Sequence, residues 1–164
     1  MAYTGEVLNA CGVIEIDFSE TFVVAVSGSG PNVCGHLLLF AQKCGYYFHV
    51  AEWYGYPHYM TEEGYQRYLK EEGKTELRRR KVALPKPNDA LVYLEGLLSR
   101  PWKWFVVPNN CVSFAEEVIK AGGGNWSSIT NCPAIATSDS ISERLESFYQ
   151  RLESGIYDLY GVPR

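Results

Sequence analysis

Strand-like runs fill the first half of this chain and helical periodicity the second, an order that points to one α+β domain. Val13–Ile16 and Phe22–Val26 are β-branched runs, and Ser27-Gly28-Ser29-Gly30-Pro31-Asn32 is a loop. His36–Phe40 reads as a short buried strand, Gln42–Gly45 as the turn of a hairpin, and Tyr46–Trp53 as its return strand. A helix over Thr61–Glu72 ends at Gly73, and a strand over Glu76–Leu84 is closed by Pro85 and Pro87. Asn88 is placed to cap a helix whose Leu91, Leu94, Leu97 and Leu98 keep the 3.6 period. The next helix opens at Cys111, turns Ala115, Val118 and Ile119 inward, and stops at Gly122-Gly123-Gly124. Ser140 and Glu143 form a capping box for a last helix with Ile141, Leu145, Phe148 and Leu152 as its stripe. No repeat or long linker divides the 164 residues, so residues 1–164 are expected to form a single domain with a sizeable core.

A formal charge of −4 argues against a nucleic-acid partner. The one basic run, Arg78-Arg79-Arg80-Lys81, follows acidic residues and reads as a solvated strand or loop. No apolar stretch approaches the ~20 residues of a membrane span, so no stable membrane insertion is expected. Residues 1–12 lack the pattern of a secretory signal, so synthesis in the cytoplasm is expected. Cysteines 11, 34, 44, 111 and 132 form no Cys-x-x-Cys pair, which disfavours a zinc cluster or a dense disulfide scaffold. Cys34 and Cys44 flank one strand and are either a pair or two buried thiols.

Cys111 carries the chemical signal. Either Asn109 or Asn110 can cap its helix, which puts the thiol in the first turn, where unpaired N–H groups and the helix dipole favour a thiolate. A nucleophile of this kind needs a base, and the base needs an orienting group. If 36–53 is a hairpin, His36 and His49 approach one face, with His36 as base and His49 fixing its tautomer. The oxyanion is met by the Cys111 backbone N–H, with the Trp104 indole or the Asn109 side chain as candidate second donor. Glu52, Trp53, Tyr54 and Tyr56 suit a sugar- or peptide-lined cleft as well as they suit packing, and His58 reads as a loop residue. The same Cys and His residues match zinc on ligand type, but a helix-start cysteine makes better sense as a nucleophile, so neither metal nor cofactor is expected.

Gly35-His36-Leu37-Leu38-Leu39-Phe40, followed after a Gly-containing turn by Phe48-His49, resembles the His-strand-turn-His element of NlpC-type cell-wall peptidases, which are papain-like cysteine hydrolases. Here the Cys helix follows the histidines, as in the permuted branch that includes lecithin:retinol acyltransferase-like enzymes. Asn109-Asn110-Cys111-Val112-Ser113-Phe114, with Ala121-Gly122 at the helix end, is similar to the Asn-Cys-x-x-Phe…Ala-Gly pattern of that branch. The resemblance covers roughly residues 33–123. It implies a permuted papain-like α+β fold, with an antiparallel sheet packed against the Cys-bearing helix. The interval between the histidines is one residue longer than the family's pattern, so a bulge in the turn is expected, and Leu38 stands where a Gly is usual.

The resemblance implies an amidase or endopeptidase cutting peptide bonds of bacterial peptidoglycan. A small wall hydrolase made without an export signal looks like a type VI secretion effector, an antibacterial toxin with a cognate immunity protein and a secretion-apparatus component as partners. The alternatives are a lipid-directed acyltransferase or lipase of the same branch, and a non-catalytic binding module. No basic amphipathic helix supports the lipid reading.

Overall fold

The computed structural model describes residues 2–9, 14–28, 35–50, 54–99, 102–103 and 110–125, all within a compact unit spanning Met1–Asn131. In chain order the elements are β1 (Glu6–Val7), β2 (Thr21–Val26), β3 (His36–Ala41), β4 (Tyr46–His49), β5 (Tyr54–Gly55), β6 (His58–Met60), α1 (Glu62–Glu71), β7 (Glu76–Val82), α2 (Pro87–Gly96), β8 (Trp102–Lys103) and α3 (Cys111–Ala121). Six strands form an antiparallel sheet in the order β1-β6-β4-β3-β2-β7, and β5 pairs with β8. The molecule is thus α+β, with an open antiparallel sheet. The expected last helix at Ser140 lies outside the described residues.

The sheet is covered on both faces, which explains why β2 and β3 read as continuous apolar runs rather than alternating ones. Leu37, Leu39, Ala25, Val23 and Phe48 face α2 and α3, where they meet Ala90, Leu94, Phe114, Ala115, Val118 and Ile119. Leu38, Phe40, Val24, Val26, Tyr47 and Met60 face Tyr65 and Tyr68 of α1. The Cys-bearing helix therefore packs on the sheet, as the sequence leads one to expect.

β7 is the outer strand, exposed from Glu76 to Lys81, and its cations blunt an otherwise open edge. Arg79 departs from the solvated-face reading. Its guanidinium donates to the Tyr47 hydroxyl and to Glu76, each at 2.8 Å, and lies 4.8 Å over the Phe40 ring.

Several expectations need correction. Ile14–Ile16 belongs to no strand, because it has no ladder partner, and Val13 lies outside the described residues. The return strand stops at His49 instead of running on through Val50. The N-cap position of α2 is Lys86 rather than Asn88, because Pro87 occupies the first helical position, where its missing N–H costs nothing. The expected bulge is absent. Ala41↔Tyr46, Phe40↔Tyr47 and Leu39↔Phe48 pair in regular register, and a four-residue turn ending at Gly45 (φ 73°) absorbs the extra residue. Cys44 is a free thiol whose S–H donates to Ala41 O, not half of a disulfide, and Cys34 lies outside the described residues. No described helix is long and apolar enough to cross a membrane.

Candidate active site

The site is built where the sheet opens. The β3–β4 ladder ends at Leu39↔Phe48, yet β2–β3 pairing runs on to Val26↔His36 and β4–β6 pairing to His49↔His58. β3 and β4 therefore part over residues 36–38. His36 and His49, on the same face by strand parity, close this opening with a ring-to-ring hydrogen bond of 2.9 Å from His36 Nε2 to His49 Nδ1.

Hydrogen-bond logic fixes the direction of that bond. His49 Nε2 lies 2.8 Å from the Thr4 carbonyl oxygen, which can only accept, so Nε2 carries the proton. Burial pulls the His49 imidazole well below its ordinary value, with His36 and His58 adding and the Thr4 bond opposing, so the ring is neutral and its Nδ1 is an acceptor. His36 then donates from Nε2, and its Nδ1 is left with a lone pair. Burial lowers His36 to about 4, and the Lys74 ammonium adds to this, although the residue keeps an exposed edge. Near neutral pH the pair is an uncharged relay in which His36 Nδ1 is unprotonated.

Cys111 approaches from α3. Asn110, in extended backbone (φ −131°, ψ −172°), is the N-cap. Its Oδ1 accepts the N–H groups of Val112 at 2.9 Å and Ser113 at 3.1 Å, and Ser113 Oγ accepts the Asn110 N–H at 2.7 Å. Of the two asparagines, then, Asn110 does the capping, and Cys111 is the first helical residue. The Leu37 N–H, freed from β4 by the opening and next in the chain to His36, points at the sulfur.

The thiolate bias expected of a helix start is present but outweighed. Burial pushes the Cys111 thiol up, against the N–H groups of Leu37, Cys111 and Val112 and the Lys74 charge, all of which favour the thiolate. The residue is 8% exposed. The thiol belongs to the apolar cluster on the α3 face, with the Leu37 N–H at its sulfur, while the neutral relay lies by strand parity on the face that packs against α1.

Four participants escaped the sequence reading. His58 is buried in β6, opposite His49, with the two rings 5.6 Å apart. It read as a loop residue because a three-residue strand after Pro57 carries no periodic signal. The ring of Tyr68 of α1 lies tilted against His49 with centroids 5.9 Å apart, and Cys111 is among the charges that raise its hydroxyl after burial and Glu72. Lys74 follows the left-handed Gly73 (φ 61°) that ends α1, and its Nζ reaches Ser27 O at 3.4 Å, two residues along from the partner of Leu37. The Thr4 contribution is a backbone carbonyl, which no residue type advertises.

Trp104, Asn109 and Trp53 lie outside the described residues. Among the described residues, no group of three His, Cys, Asp or Glu side chains is disposed to hold a metal ion. No protein-family model, curated protein or solved structure matches this chain.

Proposed function

We propose that the chain is a cysteine hydrolase of the permuted papain-like type, an amidase or endopeptidase acting on peptide bonds of bacterial peptidoglycan. The observation that carries this reading is the Thr4–His49–His36 relay, which ends in a lone pair one residue from the N–H that touches the Cys111 sulfur. The substrate class rests on the sequence resemblance to NlpC-type peptidases. Delivery as an effector, with an immunity protein protecting the producer, extends the same proposal.

In this mechanism His36 Nδ1 takes the thiol proton as Sγ attacks the scissile carbonyl carbon. The carbonyl oxygen becomes an oxyanion met by the Cys111 backbone N–H at the helix start. His36 returns the proton to the departing amine as the C–N bond breaks, leaving a thioester. Water, deprotonated by His36, then attacks the thioester. The carboxylate product departs, and the sulfur regains its proton. His49 holds the His36 ring in the tautomer that this cycle requires, while Thr4 O holds His49.

Incubating purified peptidoglycan and phospholipid vesicles with the parent and with Cys111→Ala tests the proposal. Muropeptides released by the parent alone are the expected result, whereas fatty acid released from the vesicles would instead support the lipid-directed alternative. Replacing His36 with Ala lowers kcat by about 10²- to 10⁴-fold, as loss of a general base does. Replacing His49 costs less, because an orienting group is partly dispensable.

The burial and raised pKa of Cys111 favour a second reading, a binding module in which the thiol is a small core residue. Under that reading neither substrate is turned over, and His36→Ala leaves the rate of Cys111 alkylation by iodoacetamide unchanged.

A further inference from the structure

The acceptor at the end of the relay belongs to the N-terminal segment, and that segment is clamped on both sides of Thr4. Before it, the Tyr3 N–H donates to Glu71 Oε2 on α1 at 2.8 Å, and the Arg67 guanidinium lies 4.5 Å over the Tyr3 ring. Arg67 is itself bonded to Glu71 at 2.6 Å, so the two α1 residues form one holding group. After it, Gly5 takes φ 96°, and a Cβ there would come within 2.9 Å of both Tyr59 O and Met60 Cγ. Glu6 and Val7 then pair with Tyr59 and His58 as β1. Thr4 thus sits in a strap between a surface clamp and a sheet edge, its carbonyl placed at hydrogen-bonding distance from His49.

We infer that this strap is a positioning element, and that its docking sets the tautomer of both histidines in the relay. The inference rests on the proposed dyad but goes beyond it, because it assigns the orienting function to a backbone carbonyl of the strap and not to a side chain. The reasoning follows the protons. With Thr4 O in place, His49 carries its proton on Nε2, and His36 Nδ1 is unprotonated. With Thr4 O displaced, the His49 proton is able to move to Nδ1. His36 Nε2 must then accept from it, and the His36 proton moves to Nδ1, the atom that the chemistry needs unprotonated. One lost backbone acceptor therefore removes the base without altering any catalytic side chain.

Two variants loosen the strap: Arg67→Ala combined with Glu71→Ala, both at exposed positions, and Gly5→Val, which forbids the close approach. Ring ¹⁵N NMR near neutral pH reads the tautomers, and turnover of muropeptides reads the consequence. In the parent, both rings are expected to be protonated on Nε2. In the variants, a mixture of tautomers is expected, with kcat lower by about tenfold, the scale at which outer supporting contacts act, and KM little changed. Unchanged tautomers and kcat in the folded double variant would overturn the inference, as would a parent His49 protonated on Nδ1. If Gly5→Val fails to fold, the double variant decides alone. If the parent shows the expected tautomers, the variants mix them, and no substrate is turned over, the strap inference stands while the hydrolase reading falls.

Discussion

His36 keeps an unprotonated Nδ1 because an acceptor-only carbonyl, Thr4 O, terminates the relay behind it, and burial keeps both rings neutral. The pH dependence follows directly. Under the proposed mechanism protonation of His36 blocks the base, so kcat/KM is expected to rise as pH climbs through about 4. It falls only above the raised Cys111 thiol value, where His36 has no proton to give the leaving amine. The expected profile is broad, and titration of the rate from acid to alkaline pH checks it. An acidic limb at the ordinary imidazole value of about 6.5 would contradict the neutral relay. Gly35 is a second residue with a sharp expectation. Its φ of 74° and the 2.0 Å approach of an added Cβ to Val26 O leave no room for a side chain beside His36. Gly35→Ala is expected to destabilise the fold by at least ~1–3 kcal/mol in chemical denaturation and to displace the base.

The opening between β3 and β4 brings the two histidines together, and the capped start of α3 sets the position of Cys111. Asn110→Ala removes the acceptor of two N–H groups and is expected to cost about 1 kcal/mol in urea unfolding, with a further loss of turnover because Cys111 is the next residue. Phe114→Ala, at a fully buried position where α3 meets the sheet, is expected to cost about 3–5 kcal/mol. How much of this was legible depended on the length of each signal. The buried strands β2 and β3, the turn at Gln42–Gly45 and the glycine-stopped α3 were readable, because apolar runs, turn residues and caps act locally. The pairing of His36 with His49 was readable as a spacing, whereas the exact register was not, since the turn and not a bulge took up the extra residue. β1 and β6, two and three residues long, are strands only through their partners, so the routes by which Thr4 and His58 reach His49 left no trace in the pattern. Lys86 at the α2 cap shows proline geometry overriding the better capping residue, Asn88, two positions later.

All three histidines gather at one place between the sheet and α1, so their protonation acts on the fold at a single cluster. His36 and His49 bind a proton less readily in the folded chain than in the unfolded one. The stabilisation from keeping them neutral is therefore complete above the unfolded value of about 6.5 and is lost as pH falls toward the His36 value of about 4. Each such histidine contributes a slope of at most ~1.4 kcal/mol per pH unit in that window. Urea midpoints measured across the window should fall with pH in the parent and fall less in His49→Gln, and a flat parent profile would count against the buried neutral cluster. In the proposed mechanism the Cys111 sulfur becomes acylated by a peptide carbonyl with His36 as its base. Intact-protein and peptide mass spectrometry, on samples quenched during turnover of peptidoglycan stem peptides, tests it most directly. An acyl adduct mapping to Cys111 in the parent and missing from His36→Ala is the predicted result. Product formation that survives Cys111→Ala, or a parent that neither forms an adduct nor releases product, would contradict it.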